Sequence, residues 1–280
     1  MATTAVATPA PGRVRNLSSA LTLWHLLSLD APCVAALWTV FTARCFEVRL
    51  PWTVPAALSL AVWMLYAADR LADASHGAGA MQERHWFHRE HRFAFVCCLF
   101  AAVPLMVALL FAMPADVRNA WMLMSLPMAI YAGAVHLLRL PRLPKEHLVG
   151  VFFAVAVSLP VLVARGFGPH GIANAAVAFG AVCWMNCVAI ARWEQETQTD
   201  GMTLWAAKRF PLAACVLCVL CMLLPVVRGG HVLFGFACVL ALVALVLMDR
   251  ARRGISPLVL RSLADAALLT PLLLWPLLPR

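Results

Sequence analysis

Nine apolar runs of about twenty residues follow one another along this chain, at 18–42, 53–72, 93–113, 119–138, 147–165, 171–192, 210–227, 231–248 and 257–278. Crossing about 30 Å of hydrocarbon takes roughly 20 helical residues, each advancing about 1.5 Å. Backbone polar groups in lipid must find partners within their own segment, so runs of this kind fold as helices. The expected fold is therefore all-α: a polytopic membrane bundle of nine transmembrane helices around a central cavity, with a cytosolic N-terminus. Pro32, Pro104, Pro127, Pro160 and Pro271 fall inside these runs, which membrane helices tolerate when neighbours satisfy the freed carbonyls. Composition excludes an ordinary soluble domain, with 63% hydrophobic residues, 12% charged residues and mean hydropathy +0.84. Residues 1–16, rich in Ala, Thr and Pro, are too polar for a signal sequence and read as a flexible cytosolic tail. Residues 17–280 read as a single transmembrane domain.

The net charge of +9 would suggest nucleic acid in a soluble protein. Here the basic residues fall in short segments between apolar runs, with no basic and aromatic groove, so they point to membrane orientation instead. With the N-terminus inside, only Arg44, Arg49, Arg118, Arg165, Arg228 and Arg280 lie on the far side, and Arg261 enters the ninth run. Carboxylates follow the same bias: only Glu47 and Asp116 lie opposite, while Asp30 and Asp265 fall within spans. The localisation implied is a bacterial cytoplasmic membrane with the active face cytosolic. Most of the ten cysteines sit in apolar runs; Cys215, Cys218 and Cys221 step by three without a His or carboxylate, which reads as small apolar packing.

The second run ends in two aspartates, Asp69 and Asp73, followed by a loop dense in His and Arg. Residues four apart share a helix face, so the two carboxylates stack and repel unless a cation lies between them. They are either solvated helix-end charges beside Arg70 or half of a cation site. The sixth run ends similarly, in Glu194, Glu196 and Asp200. Two acidic helix ends at equivalent places in two halves of a bundle suggest a pseudo-repeated core around one polar cavity. His85, His88 and His91 step by three over that end, as a solvated or headgroup-facing cap or as ligands of a transition metal or haem. Asp30 and Asp265 read as a structural pair, meeting each other or Arg261, or as part of a proton or substrate path.

The segment Leu65-Tyr-Ala-Ala-Asp69-Arg-Leu-Ala-Asp73 resembles the NxxxDxxxD motif of the UbiA superfamily of intramembrane aromatic prenyltransferases, which are nine-helix bundles. It matches in both aspartates and in the Arg after the first, with Leu65 where the family has Asn. The stretch from Asn186 through Glu194, Glu196 and Asp200 to Gly201 occupies the place of the family's second Asp-rich motif, with Glu, Gln and Thr replacing most of its aspartates. Tyr131, followed by Arg139, Arg142 and Lys145, resembles the family's Tyr and Lys/Arg stretch before helix five.

The resemblance implies Mg²⁺-dependent transfer of a prenyl group from an isoprenoid diphosphate to an aromatic or lipid-like hydrophobic acceptor. It implies metal ligands at Asp69, Asp73, Glu194, Glu196 and Asp200, with Asp69, Asp73 and Glu194 essential to catalysis. Arg70, Tyr131, Arg139, Lys145, Asn186 and Arg192 would line the substrate site. The chemistry suits these residue types, since magnesium prefers oxygen donors and guanidinium groups stabilise a leaving diphosphate. Three other readings stand beside it: a degenerate bundle that binds or transports an isoprenoid or lipid, a prenyl-chain cyclase, and a structural membrane subunit.

Overall fold

The computed structural model describes residues 20–76, 83–138, 145–166, 170–195, 200–228 and 230–278. Among them every regular element is helical. The order is α1 (Ala20–Leu26), α2 (Asp30–Cys45), α3 (Thr53–His76), α4 (Glu83–Glu90), α5 (Arg92–Ala112), α6 (Ala115–Leu138) and α7 (Lys145–Ala164). Then follow α8 (His170–Glu194), α9 (Gly201–Lys208), α10 (Phe210–Arg228), α11 (Val232–Ala251), α12 (Pro257–Ala267) and α13 (Pro271–Leu274), closed by a 3-10 turn at Trp275–Leu277.

Among the described residues six helices are long and apolar enough to span a membrane, or eight if each of two bent pairs counts as one span. The all-helical, multi-span architecture expected from the sequence is present, with six to eight such spans. The run 18–42 is not one helix: α1 meets α2 at 91°, and α9 meets α10 at 101°. Ser28, with φ of 59°, makes the first turn, a left-handed conformation that costs a side-chain-bearing residue energy unless its surroundings hold it. Here α3 supplies the hold, because Trp63 Nε1 donates to Leu27 O at 3.1 Å and Arg70 Nη1 donates to His25 O at 2.5 Å. The last run is also interrupted, between Ala267 and Pro271.

The bundle is organised around α8 and α2. The spanning window of α8 is 61% buried, against 17% for α5, so α5 turns Phe93, Phe100 and Phe111 outward where lipid is the natural neighbour. Trp38 on α2 stacks on Phe179 of α8 with ring centroids 4.2 Å apart and meets Phe234 of α11 edge-on at 5.2 Å. Its indole Nε1 donates to Leu268 O at 2.7 Å, in the break after α12, and Thr270 Oγ1 donates to Ala237 O at 2.9 Å. Lipid tails are as apolar as leucine, so helices in a membrane gain most by close approach of small residues. Gly150 and Gly235 serve that purpose: a Cβ would lie 2.9 Å from Gly180 O at the first and 2.4 Å from Cys221 O at the second. Of the three cysteines spaced by three on α10, Cys221 is buried and Cys215 exposed, as expected for residues on different sides of a packed helix.

Candidate functional site

The start of α2 meets the end of α3 through Asp30 and Arg70, and the ends of α8 and α11 meet through Arg192, Trp193 and Asp249. At the first of these junctions lies a buried cluster of charge. His25, the sixth residue of α1, and Asp30, the first of α2, sit on either side of the right-angle turn. In a continuous helix, residues five apart are about 140° apart around the axis and cannot bond. The turn brings them together, and His25 Nδ1 contacts Asp30 Oδ2. The same nitrogen lies 3.6 Å from Asp265 Oδ2 on α12. His25 and Asp30 are each 1% exposed.

Helices α3 and α8 complete the cluster. Arg70 lies 3.6 Å from Asp30 Oδ2 while it holds the His25 carbonyl. Asn186 Nδ2 donates to Asp265 Oδ1 at 3.0 Å. Ser28 Oγ lies 3.5 Å from Nε2 of His88, whose buried ring packs 4.6 Å from Phe95. Five helices thus converge on two carboxylates, one imidazole and one guanidinium.

Around this cluster lies an outer ring of polar contacts. Asp249 Oδ1 at the end of α11 accepts from Arg192 Nε at 2.9 Å, Trp193 Nε1 at 3.0 Å and Arg252 Nη1 at 2.9 Å. Arg192 Nη1 also donates to the carbonyl of Ala207 in α9. Asp200 caps α9: its Oδ1 accepts from the Met202 and Thr203 amides at 2.9 and 3.1 Å, and its Oδ2 from Thr203 Oγ1 at 2.6 Å. Burial works against the charge on Asp200, but the Thr203 and Met202 donors and nearby His147 together hold its carboxyl below the ordinary carboxylate range. Arg261 Nη2 lies 3.4 Å from Glu194 Oε2.

The residues singled out from the sequence are thus distributed over three settings. Arg70 and Asn186 reach the buried cluster. Arg192, Glu194 and Asp200 belong to the outer ring, each beside a protein partner. Asp69 is exposed on α3. Arg139 and Glu196 lie outside the described residues, as do the side chains of Asp73, Tyr131, Lys145 and His85. His88 turns inward, whereas exposed His91 stacks on Phe87 at 4.4 Å, so these two do not point to one ligand. Asp30 and Asp265 do approach one another, through His25, while Arg261 goes to Glu194.

The residue missed in the sequence is His25. One signal for it was present: a His and an Asp five apart inside an apolar run, a spacing that pairs only if the helix breaks between them. No protein family, curated protein or solved structure matches this chain.

Proposed function

We propose that the protein is an intramembrane prenyltransferase of the UbiA type, which transfers a prenyl group from an isoprenoid diphosphate to a hydrophobic acceptor. The observation that carries the reading is the chain of contacts from Arg70 through Asp30, His25 and Asp265 to Asn186. It joins α3 and α8, the two helices whose ends carry the acidic stretches, at a single polar centre. Adding α6, which is 24 residues long, to the eight candidate spans makes nine, and the basic loops favour an N-terminus in the cytosol with the polar centre near that face.

Magnesium suits part of the expected ligand set. Asp69 is an exposed oxygen donor at the end of a span, and with Asp73 it would hold the ion, leaving phosphate oxygens to complete the shell. Asp200 does not fit, because both of its oxygens already accept hydrogen bonds that cap α9. When bound, the ion would neutralise charge on the departing diphosphate. The chain's own part is to orient the diphosphate with cationic side chains and to keep water from the allylic carbon within the apolar bundle.

The engagement of Arg192 by Asp249 and of Asp200 by α9 favours a second reading, a bundle that binds an isoprenoid or lipid without chemistry. One experiment separates the two. Purified protein in lipid nanodiscs receives a radiolabelled prenyl diphosphate and a mixed pool of aromatic and lipid acceptors, with and without Mg²⁺. The enzyme reading expects Mg²⁺-dependent product from the wild type and none from Asp69→Asn. Tight prenyl diphosphate binding with no product from any acceptor supports the binder, and full activity in Asp69→Asn removes Asp69 from the metal site. A cyclase would convert the prenyl substrate with no acceptor present.

A further inference from the structure

We propose that His25, Asp30 and Asp265 bind one divalent first-row transition metal such as zinc, iron(II) or manganese(II), at a site distinct from Asp69 and Asp73. One donor atom from each of the three lies within 4.8 Å of the other two. Metal bonds of about 2.0–2.2 Å place neighbouring ligands roughly 3 Å apart, so shifts of a fraction of an ångström to about an ångström would seat an ion in this triangle. The three ligands come from α1, α2 and α12: the α1–α2 turn brings His25 and Asp30 together, and Asn186 of α8 holds Asp265.

Charge points the same way. Two carboxylates face each other beside one permanent cation, Arg70, which lies 3.6 Å from Asp30. Among apolar helices an uncompensated buried charge is costly, so the cluster lacks at least one positive charge. A proton on His25 would supply it, but would leave a second feature unexplained. Asn186 is only 6% exposed, its Nδ2 is bound to Asp265, and its Oδ1 has no protein partner among the described residues. A buried amide oxygen without a donor, on the same amide that touches a candidate ligand, is what a cation or its bound water would satisfy.

The donor set selects the ion. An imidazole with oxygen donors and no thiolate suits borderline metals, whereas Mg²⁺ and Ca²⁺ prefer oxygen alone. With the metal in place the cluster carries one net positive charge, which suits an anionic ligand at the open position. Arg70 and Asn186 act on the ligands from outside, Arg70 holding the His25 carbonyl and Asn186 the far oxygen of Asp265.

The test needs no substrate and so stands apart from the transfer reaction. Full-length protein in nanodiscs is stripped with chelator and titrated with Co²⁺ or Zn²⁺ alone. Retained metal is measured by mass spectrometry, and Co²⁺ coordination by its visible absorption. The wild type is expected to hold equimolar metal with a coordinated-Co²⁺ spectrum. Asp265→Asn, which keeps the side-chain shape, and His25→Gln are expected to weaken binding by about 10–100-fold, and Asp116→Asn, at an exposed carboxylate of α6, to leave it unchanged. If His25→Gln does not fold, Asp265→Asn carries the comparison. Wild-type binding no tighter than that of Asp265→Asn overturns the proposal. So does an imidazole ¹⁵N signal for His25 protonated on both nitrogens in excess Zn²⁺, which would mark a proton as the missing charge.

Discussion

The inner cluster and the outer ring use the same residue types to opposite ends. In the ring, Asp249 takes three donors on one oxygen and Asp200 takes three across two oxygens. Asp249 fastens α11 to α8 and Asp200 caps its own helix, α9, and the hydrogen-bonding capacity of both carboxylates is largely used. In the cluster two carboxylates share one imidazole and one guanidinium, and His25 Nε2 and Asn186 Oδ1 have no protein partner among the described residues. Completed polar networks rigidify a fold, whereas incomplete ones in a buried place mark where something else binds. The two aspartates of the ring are satisfied by the protein itself, whereas the cluster is the setting to which the proposed metal would bring the missing partner.

That contrast can be broken by substitution. Arg70→Met removes the one permanent cation of the cluster and the donor to the α1–α2 turn, and is expected to destabilise the protein by about 3–5 kcal/mol. Unfolding by denaturing detergent would measure it, and a loss no larger than that of a ring variant would erase the distinction. Asp249→Ala leaves Arg192 Nε and Trp193 Nε1 without their acceptor, with an expected cost of about 1.5–3 kcal/mol and no change in metal content. The smallest effect is expected at Asp200, where loss of the helix cap in Asp200→Ala costs about 1 kcal/mol. Because its folded carboxyl titrates below the ordinary value, the stability it contributes is complete above that value. It is lost as pH falls through the depressed one. Helicity followed against pH in wild type and Asp200→Ala would show the two curves converging at the acid end.

Much of the architecture was legible because hydrocarbon imposes a length. The runs at 93–113, 147–165, 171–192 and 231–248 each fall on a helix with ends near those expected. What sequence could not announce was where a run bends. Residues 27–29 are Leu, Ser and Leu, with neither Gly nor Pro to mark a break, and the turn is held by Trp63 and Arg70 from another helix. The site was partly legible for the same reason. Asp69 and Arg70 are adjacent in sequence and so about 100° apart on α3; only packing decides that Arg70 faces inward while Asp69 is exposed. Asp30 and Asp265 stood out as acids within apolar runs, but the imidazole between them became visible only once α1 had turned.

The bond from Trp38 to the Leu268 carbonyl bears on the order in which the bundle assembles. A break in a helix at membrane depth leaves carbonyls that lipid cannot satisfy, and the one after α12 is served by an indole from α2, while Thr270 in the same break donates to a carbonyl of α11. Both partners are made earlier in the chain, so the segment after α11 reaches its settled form against helices that precede it. Asp265 travels on that segment. The cluster is therefore completed by a segment made after the other helices that supply it, and a chain truncated after α11 would hold His25 and Asp30 without Asp265 to close the group.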